Sequence, residues 1–574
     1  MADEQNIPER PKEAGEQAAE GGEKKGPSKN ELKKMQKEQE KAEKAAKRAA
    51  EEEAKKKADE ASDVSKEDYG QLPYVRESAG VTHETLSELA EQYGGQEFAE
   101  DKRPNVVFRA TVANARNQSA KLSFLNFKQH PNRISDTIQA VVAASDTLSR
   151  QMVKFAGNIP TESKVIVHGV LNTPKEPIKS ASIQNMEVHI RKIYTLGKVD
   201  NQLPLQVADA ERAIPAEGEE NATSEDGRPV VSLNTRLTNR TIDLKSNLNH
   251  AIFGIKEGVQ DLFREFLKAR KFRVINTPKL LGAATEGGAN VFESTYFDKK
   301  AYLAQSPQLY KQMMIAADFE RVMEIGSVFR AENSNTARHL TEFIGLDLEM
   351  AFEENYHEVV SLLEELMLYI FNGLKTQYKK ETDLVRAVYA VEDFKLPEAG
   401  KVPRLDFAEG IKMLRDAGVE VNDFDDLSTP DEKKLGALVL EKYGSDFYVL
   451  DKFPLAVRPF YTMPSKETMA NHDEKNPNAG YSNSYDFFMR GQEIMSGAQR
   501  IHDATYLEKR MREHVTPVDP KAPGLKDYVD CFRYGCPPHA GGGIGLERIV
   551  MLWLGLPNVR LASLFPRDPG RLMP

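Results

Sequence analysis

The sequence predicts an α+β multidomain protein: a small β-barrel and a larger mixed domain, preceded by a charged N-terminal extension. Three observations carry this. Residues 1–68 hold almost no large apolar side chains. Short β-type runs crowd residues 104–198. From Leu244 onward an amphipathic pattern opens a stretch in which strand and helix signals alternate up to Pro574. A chain of 574 residues is long enough for more than one core. Its 29% charged and 40% hydrophobic residues are ordinary for a globular protein. A net charge of −10 excludes a protein that is basic all over, so any nucleic-acid contact must come from local basic surfaces.

The extension, residues 1–68, is read as disordered to helical. A proline-free Lys/Glu/Ala run from Ser28 to about Ala61 consists of good helix formers but has no core face to bury. At 100° per residue, Lys29, Lys33, Lys34, Lys37, Lys41, Lys44, Lys47 and Arg48 fall within an arc of about 140°. Such a stripe can lie along RNA phosphates with little sequence preference. Residues 69–103 are a linker. Residues 104–198 carry VVFRATVANAR, KLSFLNF, TIQAVVAA, KVIVHGVL and an alternating run through Glu187–Ile193, with a helical stretch near Ser145–Ala156, which predicts a small closed barrel of the OB type. Residues 199–245 form a connector with an acidic, turn-rich loop at 215–229. Residues 246–574 form the large domain. Its first helix, Leu244–Lys271, places Leu248, Ile252, Ile255, Val259, Leu262, Phe263, Phe266 and Leu267 at helical spacing.

The start, MADEQNIPERPKE, has acids and prolines where a secretion signal needs basic and then apolar residues. No run reaches the roughly 18 apolar residues that cross a bilayer. The only cysteines, Cys531 and Cys536, lack the paired CxxC spacing of a zinc site and suit a reducing compartment. A cytoplasmic protein without membrane partners is expected.

Four segments of the large domain occur in a telling order. The long helix runs into FRVINTP (272–278); AYLAQSPQLYKQ (301–312) follows; then FRAE (329–332) with RHLTEF (338–343); then GGGIGLER (541–548). Together they resemble the class II aminoacyl-tRNA synthetases of the aspartate/asparagine/lysine subgroup. With the ending SLFPRDPGRLMP, the wording is most similar to the eukaryotic cytosolic aspartyl-tRNA synthetases, over roughly residues 100–574. The glycines at 541–543 and 545 lack the Gly-Lys-Ser/Thr of a P-loop and are read as letting a strand pack closely beneath the nucleotide.

The resemblance implies a class II catalytic domain with an antiparallel sheet flanked by helices, and a two-step reaction in which L-aspartate and ATP give aspartyl-adenylate, then aspartyl-tRNA-Asp. Attack of one anion on another requires neutralised phosphate charge and fixed alignment. By resemblance, Arg330 bridges the α-phosphate and the substrate carboxylate, and Arg548 stacks on adenine near the γ-phosphate, catalytic tasks that suit a flat guanidinium. Glu332 reads the adenine amino group and Phe343 covers the base; Arg338, His339 and Leu340 of the motif-two loop, with Glu493 and Gly545, complete the ATP site. Lys311 and Arg500 receive the aspartate side-chain carboxylate. Ser306, Gln308, Asp347 and Glu286 match positions around the substrate ammonium, Ser496 is also placed in the site, and Thr285–Gly288 is a closing loop. Asp486, Glu493 and Ser496 are the implied Mg2+ ligands.

Read on its own, Ser482–Glu493 is a hairpin with a two-residue type II′ turn that starts at Gly491. That register pairs Arg490 with Glu493 and Asp486 with Gly497 and puts Asp486 and Glu493 on one face. Strict alternation then places Arg500 on the opposite face; the resemblance, which puts Ser496 and Arg500 in the site, implies a bulge near Ser496–Gly497 that corrects the phase. For the barrel, Phe124 matches an aromatic that stacks on an anticodon base, and Gln139 and Glu187 match readers of base edges. A homodimer is implied through the first motif. An asparaginyl or non-discriminating enzyme on the same fold, and a non-catalytic tRNA-binding paralogue, stay open as alternatives. Lys311 with Arg500 disfavours an amide or ammonium substrate, hence an asparaginyl or lysyl enzyme, but does not bear on charging of tRNA-Asn with aspartate. Retention of Arg330, Asp486, Glu493 and Arg548 disfavours the paralogue.

Overall fold

The computed structural model describes residues 37, 41, 44, 47, 48, 61–75, 77, 80–130, 132–200, 202–215, 230–283 and 291–573. It divides into two compact units: residues up to 128 with 137–199, and residues 129–136 with 200–574. No described helix is long and apolar enough to cross a membrane.

In the first unit, β1 (Tyr69–Gln71) and α1 (Leu86–Tyr93) precede β2 (Asn105–Ser119), β3 (Leu122–Gln129), β4 (Asp136–Ala143), α2 (Arg150–Gly157), β5 (Lys164–Asn172) and β6 (Glu187–Gly197). The strand order β1-β6-β4-β3-β2-β5, with β5 also paired to β6, closes a five-stranded barrel. Alternation decides which residues fill it: Ser123, Leu125 and Phe127 of β3 point inward, leaving Phe124 and Asn126 outward. Ser149 caps α2 by accepting a hydrogen bond from the Met152 amide, which starts the helix at Arg150 rather than at Ser145.

The second unit is built on α3 (Asn247–Ala269), whose eight predicted apolar positions are all buried. It begins three residues later than its apolar pattern because the Ser246 side chain caps it at the Asn249 amide. A small sheet of β8 (Leu280–Leu281), β9 (Glu293–Tyr296) and β10 (Lys299–Leu303) lies beside the main one. The main sheet has eight strands: β7 (Arg273–Val274), β11 (Arg321–Phe329), β12 (Glu342–Ala351), β13 (Arg404–Asp406), β14 (Phe447–Asp451), β15 (Ser484–Met489), β16 (Gln492–Gln499) and β17 (His539–Gly545), in the order β13-β14-β15-β16-β17-β12-β11-β7. The six central strands are antiparallel, as expected, but both edge pairs, β13–β14 and β11–β7, are parallel, so the sheet is mixed. One face packs against α3, α5 (His357–Gln377) and α7 (Leu546–Leu554) in one continuous core. The other face carries the polar residues, between α4 (Gln308–Ala316) and α6 (Thr429–Tyr443).

Candidate active site

One extra residue brings the end of β16 onto the polar face. In the β15–β16 hairpin Phe488 pairs with Glu493 but Phe487 pairs with Met495, so Ile494 is bulged. The bulge lies two residues before the expected Ser496–Gly497 position, and Asp486 faces Ser496 rather than Gly497. After it, Ser496, Ala498 and Arg500 share the cavity side with Glu493. The turn also differs from expectation. It consists of Arg490 and Gly491, with Met489 paired to Gln492, so Arg490 does not pair with Glu493. Both turn residues have positive φ, 49° and 65°, which makes the turn type I′ rather than II′. Arg490 is held in this conformation by hydrogen bonds from its amide to the Asp446 carbonyl (2.9 Å) and from its guanidinium to the Glu392 and Asp393 carbonyls (2.6 and 2.9 Å).

Across the next strands the register forms rows: Ser496–Gly543–Asp347 and Ala498–Gly541–Glu349. A glycine occupies the middle of each. A Cβ at Gly543 would stand 3.0 Å from Asp347 Oδ1, and one at Gly541 would run into the Glu349 carboxylate. These glycines clear the floor in front of two acids, which is what the GGGIG run does here.

At this end of the cavity the charges are already paired. Lys311, on α4, points its ammonium at Asp347 Oδ1 (3.1 Å) and Glu349 Oε2 (3.4 Å). Arg500 grips Glu349 Oε1 from Nε (3.1 Å) and the Gly541 carbonyl from Nη2 (3.1 Å). The two cations expected to share one carboxylate therefore converge on the buried Glu349. Burial pushes the Glu349 carboxyl up, but Arg500 and Lys311 outweigh it and hold it below the usual range. His539, behind them, is driven down to about 4 by burial and stays neutral. Ser306 Oγ accepts from the Gln308 amide (3.2 Å), and Gln308 Nε2 is buried with no partner among the described residues. An unpaired donor aimed from this rim suits a polar ligand. Glu286 and the segment Thr285–Gly288 lie outside the described residues.

The other end is arranged differently. Arg330 is exposed, its guanidinium 5.5 Å from the Phe343 ring centre. Arg548, at the start of α7 just past Gly545, donates to the Glu493 carbonyl (2.8 Å). Glu332 and Leu340 line the same space. His339 Nδ1 is bonded to Thr336 Oγ1 (2.6 Å). Arg338 reaches across to Thr429 Oγ1 on α6 and lies 3.9 Å from the Glu432 carboxylate. Acids crowd here. Burial, then the nearby Glu493 charge, pushes Glu432 up to about 8, and burial lifts Asp486 to about 6. Arg458 sits on them, donating to Asp486 Oδ2 (2.7 Å) and Ser496 Oγ (3.1 Å).

Of the predicted residues, Ser306, Gln308, Arg330, Glu332, Arg338, His339, Leu340, Phe343, Asp347, Glu493, Ser496, Arg500, Gly545 and Arg548 surround one cavity; Lys311 and Asp486 lie just behind its wall. Asp486, Glu493 and Ser496 form an all-oxygen set, and Asp486 Oδ1 is buried without a hydrogen-bond partner among the described residues, a fit for Mg2+ that arrives with phosphate oxygens and water. Glu349, Arg458 and Glu432 were missed by sequence reasoning. Glu349 carried a signal: it lies two residues after Asp347 on one strand and so shares its face. Arg458 and Glu432 lie outside every motif and carried none.

In the barrel unit, Phe124 faces outward with Arg116 over its ring at 5.7 Å. Gln139 and Glu187 are register partners joined by a hydrogen bond of 3.1 Å. Glu187 also accepts from Asn172 (2.9 Å) and is bonded to His189 (3.0 Å). Lys37 is helical and exposed, as are Lys41, Lys44, Lys47 and Arg48; Lys29, Lys33, Lys34 and the acidic loop from 216 to 229 lie outside the described residues.

Residues 232–569 match the family model of class II tRNA synthetases (D, K and N). A Homo sapiens aspartate–tRNA ligase, cytoplasmic, is 54% identical over 437 residues, 76% of this chain and 83% of that protein. An aspartyl tRNA synthetase structure from Entamoeba histolytica is 42% identical with a TM-score of 0.74, covering 88% of this chain and 96% of that one. The asparaginyl-tRNA synthetase of Pyrococcus horikoshii complexed with asparaginyl-adenylate is 30% identical with a TM-score of 0.67, over 84% of this chain and all of that one.

Proposed function

The chain belongs to the class II tRNA synthetases of the D, K and N group, and from that premise we propose that it is a cytoplasmic aspartate–tRNA ligase, which activates L-aspartate with ATP and esterifies it to tRNA-Asp. The observation that carries the amino-acid assignment is the convergence of Lys311 and Arg500 on Glu349 beside Asp347. Glu349 and Asp347 balance the two cations; once Asp347 turns to the substrate ammonium, one positive charge is left for the substrate side chain. Asp347 answers the ammonium and Arg330 the α-carboxylate. Asparagine would leave the surplus cation unanswered, and lysine would add a second. A charge-assisted bond is worth about 1.5–3 kcal/mol, and leaving its buried donor unpaired costs at least as much.

In the first step Arg330 holds the α-carboxylate of aspartate against the α-phosphorus of ATP. Phe343 and Arg548 sandwich the adenine, and Glu332 accepts from its amino group. Arg338 and His339 meet the outer phosphates. Asp486, Glu493 and Ser496 would hold Mg2+, which supplies neutralisation of the phosphate charge. In the second step the 3′-terminal adenosine of tRNA takes the acyl group. Outward-facing Phe124, with Gln139 and Glu187, supports anticodon recognition by residues 104–198, and the basic stripe of residues 1–68 supports a backbone contact. A homodimer through the first-motif helix and strand completes the reading.

ATP–pyrophosphate exchange compared side by side for aspartate, asparagine and lysine tests it. Exchange should depend on aspartate, with asparagine weaker by about 10²-fold or more, the worth of two charge-assisted bonds. Equal exchange with asparagine would sink the assignment.

A further inference from the structure

The chain ends on a segment whose role the motifs leave unassigned. After α7, a turn at Val559–Ala562 is capped by Asn558 and followed by SLFPRDPGRLMP. This segment grips the motif-two loop. The Val559 amide donates to the Ala337 carbonyl (2.8 Å), and the Thr341 amide donates to the Arg567 carbonyl (2.9 Å). Arg560, only 6% exposed, uses all three nitrogens: Nη1 donates to the Thr336 carbonyl (2.9 Å), Nη2 to Asn335 Oδ1 (2.7 Å) and Nε to Asp568 Oδ2 (2.5 Å). Thr336, held by its carbonyl, is bonded through its hydroxyl to His339 Nδ1. Arg560 itself does not line the cavity, whereas Val559 does.

The loop residues 333–341 belong to neither β11 nor β12, so no ladder fixes them. Their far end is tied by the Arg330 amide to the Thr341 carbonyl (2.9 Å), and Arg338 leans on Thr429 of α6. The Arg560 fork holds Asn335–Thr336, two bonds away from the Arg338 and His339 side chains that line the cavity. We propose that Arg560, anchored by Asp568, is a positioning residue of the ATP site: it sets the path of Asn335–Ala337 and thereby aims Arg338 and His339 at the triphosphate. A planar guanidinium is needed because it reaches four acceptors at once, Asp568, Asn335, the Thr336 carbonyl and the capping Asn558 Oδ1 (3.3 Å); a lysine ammonium is a single point that keeps Asp568 and loses the loop.

The inference rests on the ATP-site reading above, so exchange by the wild-type protein with aspartate is measured first and tests that reading by itself. Arg560→Lys is then compared with wild type for exchange kinetics and thermal midpoint. The displaced loop should lower kcat/KM for ATP by up to about 100-fold, the loss that an ångström of misplacement produces, while KM for aspartate and the midpoint stay near wild type. If Arg560→Lys fails to fold, Asn335→Ala, which removes one bond on the exposed side of the loop, takes its place; KM for ATP should rise by about 2- to 10-fold, the worth of one hydrogen bond. Wild-type ATP kinetics in a folded variant, or equal losses for ATP and aspartate, overturns the proposal.

Discussion

The two ends of the cavity solve opposite electrostatic problems. At the amino-acid end every charge meets its opposite inside the protein: Lys311, Arg500, Asp347 and Glu349 form one buried network on two strands and a helix. At the nucleotide end like charges crowd together. Glu432, Asp486 and Glu493 repel, with Arg458 on one oxygen of Asp486 and Arg338 3.9 Å from Glu432, and Arg330 stands exposed beside an aromatic ring with no ion pair among the described residues. The difference teaches where each kind of selectivity is stored. Telling aspartate from asparagine needs a fixed charge balance, so it is built on rigid elements and neutralised in advance. Activating ATP needs a site that becomes balanced only when a polyanion and its cation arrive together.

The largest test of that contrast is Arg330→Ala. Because Arg330 is exposed, its loss should leave the thermal midpoint near wild type while exchange falls about 10³-fold, the scale of removing one transition-state donor. A variant that keeps full exchange refutes its role. Glu349→Gln should do the reverse. Removing the shared counter-ion leaves two buried cations together, at about 3–5 kcal/mol of stability, measurable by denaturant unfolding. Aspartate should then raise the thermal midpoint more in the variant than in wild type, because the substrate carboxylate replaces the lost one; an unchanged ligand-induced shift would break the comparison.

The smallest effect comes from Glu432→Gln. The carboxyl of Glu432 titrates near 8 in the folded protein against an ordinary 4.5, so between those values the native state holds more protons than the unfolded chain. Stability therefore falls as pH rises through that window. Glutamine removes the loss, and the variant should gain ~1–2 kcal/mol over wild type between about pH 4.5 and 8, well below the full shift because solvent reaches the group. The gap should close when Mg2+ and ATP are added. A gap that is constant with pH would show that the crowding at this end is not electrostatic.

Much of this was legible in the residues. Period-two runs gave the barrel, although only the structure turns Phe124 outward and Phe127 inward. Helical spacing gave α3, and the family resemblance named fourteen residues that line one cavity. Hairpin geometry was not legible. Gly491 fits equally well as the first residue of a type II′ turn or the second of a type I′ turn, and local sequence cannot choose. Two tertiary contacts choose. Gly491 lies against α6 at Gly436, where a Cβ would strike its backbone, and Arg490 is pinned by carbonyls of residues nearly a hundred positions away.

The sequence by itself determined which residue types are available, and its resemblance to a family assigned their chemistry: Lys311 and Arg500 to a carboxylate, Arg330 to the phosphate, Asp486, Glu493 and Ser496 to a cation. That resemblance rests on short runs of residues, and such runs are local. Only the tertiary structure decided which groups face one another, namely the bulge at Ile494 that swings Arg500 into line, Glu349 beneath both cations, and Arg458 and Glu432 at the acids. Each depends on backbones far apart in the chain packing to within an ångström, and close packing of that kind is a property of the whole core, not of any segment in it.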